Sequence, residues 1–185
     1  MAVRVIVTGV PGVGKSSVMD AVSKTFSVPI VNYGTVMFEE AQKRKLVASR
    51  DEMRKMPAET QRTIQAHAAE RIGAMSDAII DTHCLIKTRE GYLPGIPMTV
   101  LTLISPHAVV LVEAPAREIL GRRQKDTSRT RDPDSLESIE EHQAFNRAAA
   151  AAMAVVSGAT VKVVPNRDGG IGEAVKVLSE VFAKP

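Results

Sequence analysis

Aromatic residues are scarce. Two Tyr, four Phe and no Trp make up 3% of the 185 residues. Proteins that grip single-stranded nucleic acid stack bases on aromatic side chains, so this composition argues against a nucleic-acid partner. Cys84 is the only cysteine, which excludes an internal disulfide and, alone, a zinc site. The four histidines, at 67, 83, 107 and 142, show no metal-ligand spacing. No apolar run reaches the ~18 residues of a membrane span. No secretory leader is visible after Met1. A reduced, cytoplasmic location without a membrane partner is therefore expected. Neither charge dominates: 24 Lys+Arg stand against 21 Asp+Glu, a net charge of +3. What is present is 44% hydrophobic residues, enough for one domain with an aliphatic core.

The pattern alternates between strand and helix. Residues 3–8, 77–81 and 108–113 are short, nearly continuous apolar runs, as expected for parallel strands buried on both faces. Residues 28–32 and 160–164 read as two further strands. Helices are expected from about Lys15 to Thr25, Thr35 to Leu46, Pro57 to Met75, Leu136 to Val156 and Gly172 to Phe182. Ser49 reads as the cap of a short helix, and Pro115 opens another. The long helix carries five consecutive alanines, Ala148 to Ala152, a sign of close helix packing. Residues 91–97 are punctuated by Gly and Pro and read as an ordered loop. The predicted class is α/β: a five-stranded parallel sheet flanked by helices in one domain over 1–185. Ligands of such sheets bind beyond the carboxyl ends of the strands. Weight therefore falls on 9–17, 32–35, 81–83, Glu113 and 166–168.

Residues Gly9-Val10-Pro11-Gly12-Val13-Gly14-Lys15-Ser16 match the phosphate-loop pattern G-x-x-x-x-G-K-[ST] at every fixed position, between a strand and a helix. Glycines let backbone N–H groups turn toward phosphate oxygens. The helix N-terminus adds its dipole. Lys15 is placed to reach the β and γ phosphates, and the Ser16 hydroxyl to hold Mg²⁺. Ser17 reads as a surface or phosphate-contacting hydroxyl. Asp81, ending an apolar strand, is a second Mg²⁺ candidate. No Asn-Lys-x-Asp run for guanine is present, and no Glu beside Asp81 to activate water. The small size and the Arg-rich loops point toward a kinase of a small acceptor.

Several further blocks accompany this loop: Val31-Asn32-Tyr33-Gly34-Thr35-Val36-Met37, Ser49-Arg50-Asp51-Glu52-Met53-Arg54, Asp81-Thr82-His83 and Gly91-Tyr92-Leu93-Pro94-Gly95. Arg123, Arg129, Arg131 with Asp132, and Val164-Pro165-Asn166 complete the set. Along nearly its whole length the chain resembles the archaeal-type adenylate kinases. The resemblance implies Mg²⁺-dependent phosphoryl transfer between ATP and AMP. It implies an AMP-binding helical insert at about 34–76 and a short lid at about 124–134. Residues 9–17 and Asn166 would serve ATP. Asn32, Gly34, Thr35, Arg50 and Arg54 would serve AMP. Lys15, Arg123, Arg129 and Arg131 would neutralise the charge that spreads over the transferring phosphoryl group. A homotrimer is implied by the resemblance alone.

The chain departs from the bacterial pattern at Asp81-Thr82-His83-Cys84-Leu85-Ile86-Lys87, where an AMP-clamping arginine is missing. Lys87 or Arg89 is left to take its place. The short lid carries no cysteine cluster, so no lid zinc is expected. His83 reads as a satisfied loop histidine, and Met37 and Met53 as core or as the lining of a base pocket. Two alternatives stay open. One is another small kinase, for CMP, GMP or a polyol such as shikimate. The other is a nucleotide-dependent switch or RNA-processing factor.

Overall fold

A computed structural model describes residues 3–25, 27–126 and 135–182, with Arg54 described by its backbone only. Five strands form one parallel sheet: β1 (Arg4–Thr8), β2 (Ile30–Asn32), β3 (Ala78–Asp81), β6 (Ala108–Glu113) and β7 (Thr160–Pro165), in the order β2-β3-β1-β6-β7. The central strands are apolar on both faces, because helices cover both. Val5 and Val7 of β1 point to one side, with Ile79 of β3 and Val110 and Val112 of β6. Ile6, Ile80, Val109 and Leu111 point to the other.

The first side is covered by α1 (Lys15–Ser23), α6 (Ala116–Lys125) and α8 (Ile171–Ser179), through Val18, Val22, Ile119, Ala174 and Leu178. The second is covered by α2 (Tyr33–Lys43), α4 (Ala58–Gly73), α5 (Met98–Ile104) and the later turns of α7 (Leu136–Ser157). Ala150 and Met153 are the buried positions of α7 there. One alanine of the run is therefore wholly buried, while Ala151 and Ala152 are exposed. The short α3 (Arg50–Arg54) starts at Ser49, whose side chain accepts from Glu52 N while Glu52 returns to Ala48 N and Ser49 Oγ. This is a variant of the capping box, in which Glu52 takes the N–H of Ala48 rather than that of the cap residue.

Three elements, the two strands of a hairpin and one short helix, differ from the sequence expectation. Residues 91–97 do not form a plain loop: β4 (Leu85–Thr88) and β5 (Gly91–Pro94) pair antiparallel as a separate hairpin. Its outward side chains, Ile86, Lys87 and Leu93 among them, are exposed, so no buried run announced it. α5 had no counterpart in the sequence reading. Seven residues between prolines are too short to separate a buried helix from a strand by periodicity.

Candidate active site

The five parallel strands bring Thr8, Asn32, Asp81, Glu113 and Pro165 to one edge of the sheet. The phosphate loop leaves β1 where its neighbours diverge, β3 to one side and β6 to the other. Such a switch point leaves a crevice for a ligand. Gly12 and Gly14 hold the loop in left-handed conformations, at φ 82° and 86°. Gly14 caps α1 without a side-chain bond, so the first N–H groups of α1 remain available to an anion. Val10 and Val13 are buried and pin the loop to the core, while Pro11 is exposed.

The loop is braced from behind. Asn166 is buried, and its Nδ2 donates to the Val13 carbonyl at 2.9 Å. Arg122 Nη1 donates to the same carbonyl at 3.0 Å, and Nη2 donates to the Asn166 carbonyl at 2.9 Å. Arg122 also pairs with Glu118 and Asp168, at 3.0 and 2.6 Å. Arg123 Nε donates to the Pro11 carbonyl at 2.8 Å. Sequence reasoning selected Arg123 and Asn166 and missed Arg122. The available signal was Glu118 at i−4 from Arg122, which ties that guanidinium inward.

Lys15 donates from Nζ to Asp81 Oδ1 and to the Thr82 carbonyl, the latter at 2.7 Å. The two side chains are only 12% and 19% exposed. The other Asp81 oxygen accepts from Asn32 Nδ2 at 2.8 Å. Asn32 caps α2: its Oδ1 accepts from Thr35 N at 2.9 Å and from Thr35 Oγ1 at 3.1 Å. Arg50 Nη2 donates to Thr35 Oγ1 at 2.9 Å, with its guanidinium 5.3 Å from the Phe38 ring centre. Lys15, Asp81, Asn32, Thr35 and Arg50 thus stand in one line of contacts, with Gly34 in the same turn. The His83 pKa is lowered, first by desolvation and then by the Lys15 ammonium.

Other expected site residues stand elsewhere. Lys87 Nζ donates to Ser138 Oγ of α7 at 2.6 Å. Arg89 sits at the exposed turn between β4 and β5. Tyr92 of β5 reaches Glu141 of α7 at 2.7 Å. These bonds fasten the hairpin to the first turns of α7, which follow the expected lid. Met37 packs partly buried against the core, and Met53 against the small cluster of Ala41, Val47 and Ile64. Arg129, Arg131 and the Arg54 side chain lie outside the described residues.

The donor set suits Mg²⁺. Ser16 lies exposed in the first turn of α1, and among the described residues its hydroxyl has no protein partner. Asp81 supplies carboxylate oxygen at the neighbouring strand end. Among the described residues no three His, Cys, Asp or Glu side chains form a cage. Magnesium keeps several waters and is commonly held by one or two side chains together with substrate phosphates.

The sheet order, the loop and its lysine define a P-loop nucleotide-binding protein of the small-kinase type. Residues 8–140 match the AAA domain family, to which the chain belongs. Solved shikimate kinases share the fold. That of Bacteroides thetaiotaomicron aligns with TM-score 0.60 at 12% identity, over 98% of this chain and 99% of that one. That of Acinetobacter baumannii aligns with TM-score 0.60 at 13% identity, over 98% and 94%. Sequence relatives are much nearer. The protein named adenylate kinase from Thermoplasma acidophilum is 51% identical over 97% of this chain and 98% of its own length. The one from Methanopyrus kandleri is 49% identical over 97% of each. The chain belongs to the adenylate kinase family of archaea.

Proposed function

We propose that this protein transfers the terminal phosphoryl group of ATP to AMP, reversibly, giving two ADP. The observation that carries the reading is the placement of Lys15. Its ammonium joins the phosphate loop to Asp81, and through Asn32 to the insert that bears Thr35 and Arg50. Donor and acceptor phosphates approaching from those two sides would meet at this lysine.

Phosphoryl transfer demands positioning and charge neutralisation more than covalent work by the protein. The loop N–H groups and the α1 N-terminus bind the donor phosphates. Lys15 leaves Asp81 for the phosphate chain and neutralises charge that grows in the transition state. Ser16 and Asp81 would hold Mg²⁺, which when bound supplies further charge neutralisation at the phosphates. Arg50 serves the AMP phosphate together with Arg54, while Asn32, Gly34 and Thr35 shape its pocket. Arg123, Arg129 and Arg131 act from the lid side. Asn166 supports ATP binding by holding the loop at the Val13 carbonyl. The segments 34–76 and 124–134 are read as acceptor insert and lid, closing together to exclude water.

The proposed assembly is a homotrimer in the cytoplasm, supported by the family resemblance. Among the described residues no helix is long and apolar enough to cross a membrane. Lys15→Ala is the direct test of the chemistry. It should lower kcat for ATP plus AMP by at least ~100-fold, the scale of a lost transition-state contact. A variant that makes ADP at near-normal rate would overturn the reading.

A further inference from the structure

We propose that Asn32 is a positioning residue that couples the two nucleotide subsites, so that filling the phosphate loop tightens AMP binding. This rests on the reading of the insert as the AMP site.

The argument starts from one side-chain amide with three bonds. Asn32 ends β2 directly beside Asp81 of β3 in the parallel register. Its orientation is fixed by chemistry: Thr35 N–H can only donate, so it faces Oδ1, and the Asp81 carboxylate can only accept, so it faces Nδ2. The amide therefore cannot turn without losing both partners. On one side it meets the acid that holds Lys15. On the other it meets the hydroxyl on which Arg50 is seated. The five side chains stand on five elements: Lys15 on α1, Asp81 on β3, Asn32 on β2, Thr35 on α2 and Arg50 on α3.

Without nucleotide, Lys15 is divided between Asp81 and the Thr82 carbonyl. A polyphosphate on the loop competes for that ammonium. Once Lys15 turns to the phosphate, it frees Asp81 Oδ1, the oxygen that would face Mg²⁺, while Asn32 Nδ2 remains the side-chain donor on Oδ2. Asp81, no longer drawn toward Lys15, then holds the amide in one place. The amide in turn fixes Thr35 N–H, its hydroxyl and the seat of Arg50. An acceptor site ordered in advance costs AMP less ordering on binding, which appears as positive cooperativity. Linkage requires the effect to be reciprocal: AMP must tighten the donor nucleotide by the same factor.

Asn32→Ser separates this role from helix capping. Serine caps as well as asparagine but is too short to reach Asp81. Asn32→Asp is the second variant: it keeps an oxygen for Thr35 N–H and has no donor for Asp81. Calorimetry would measure AMP binding with and without a saturating β,γ-imido analogue of ATP with Mg²⁺. In the unmodified protein the analogue should tighten AMP about 5-fold or more, within the usual ~5–150-fold range of coupling. In both variants that factor should fall below about twofold, and Asn32→Ser, which keeps the cap, should melt close to the unmodified protein. A full coupling factor in Asn32→Ser, or none in the unmodified protein, overturns the proposal. If the analogue binds and AMP binds in no condition, the AMP-site reading itself fails and the proposal falls with it.

Discussion

Replacing Gly14 by alanine isolates what holds the phosphate loop in shape. Gly14 has φ 86° and caps α1. An L side chain pays about 1–2 kcal/mol for that left-handed conformation. The added Cβ would also fall on the Asn166 amide nitrogen, which donates to the Val13 carbonyl. Asn166 is buried, so displacing its amide leaves a polar group without its partner, at about 1–3 kcal/mol. The Val13 carbonyl keeps Arg122 Nη1, so only one side of the bond is orphaned. Gly14→Ala should therefore destabilise by about 2–5 kcal/mol. For a domain of this size that lowers Tm by roughly 4–20 °C. Gly158→Ala is the control. Gly158 also has positive φ, at 73°, but open space surrounds its Cβ position. It should pay only the backbone cost. Thermal melting followed by circular dichroism reads both, and the Gly14→Ala/Asn166→Ala double variant completes the cycle. The double variant should lose less than the two single losses combined, because removing Asn166 removes the clash. A Gly14→Ala loss no larger than that of Gly158→Ala would refute the close approach of Asn166 to the loop.

Three further outcomes are expected. Arg54→Ala should raise KM for AMP and spare ATP, while Arg131→Ala should mainly lower kcat, each by ~30- to 1000-fold; a rise in KM for ATP alone with Arg54→Ala would reverse the pocket assignment. A ligand joining two adenosines through five phosphates should slow amide hydrogen exchange in both 34–76 and 124–134, and equal exchange with and without it would refute joint closure. Glu40, buried between α2 and α4 with Lys43, Arg44 and Arg71, has its pKa lowered chiefly by the bond from Arg44. Its contribution is present above the ordinary carboxylate range and is lost as pH falls through the lowered value. Glu40→Gln should therefore reduce stability at pH 7 and flatten that part of the acid-side decline. Unchanged acid unfolding would refute the role.

The phosphate loop was legible because its chemistry fixes spacing: Gly9, Gly14, Lys15 and Ser16 have no freedom in number or order. The central strands were legible for a different reason. Val5-Ile6-Val7 and Val109-Val110-Leu111 are covered on both faces, so they carry no polar interruption. The β4–β5 hairpin hid because six of its eight strand residues are exposed and Pro94 ends it. Residues 91–97 therefore look like a loop. At the site, sequence spacing brought Asn32, Thr35, Arg50 and Asp81 forward singly. Their line of contacts spans pairs up to 49 positions apart, a distance no local pattern carries. Arg122 was passed over for Arg123 because two adjacent arginines look alike until the fold turns one toward Val13 and Asp168. Lys87 was left open as an acceptor clamp, and the hairpin instead sets it against Ser138.

The central claim is the identity of the acceptor, and an acceptor panel tests it most directly. The protein would be incubated with ATP and Mg²⁺ alone, and then with AMP, CMP, GMP or shikimate in turn, with ADP quantified by chromatography. The account predicts that AMP is the preferred acceptor, that two ADP appear for each AMP consumed, and that ATP alone or with shikimate gives almost none. Preferred transfer to shikimate or to another monophosphate, or ADP formed from ATP alone at the rate seen with AMP, would contradict it.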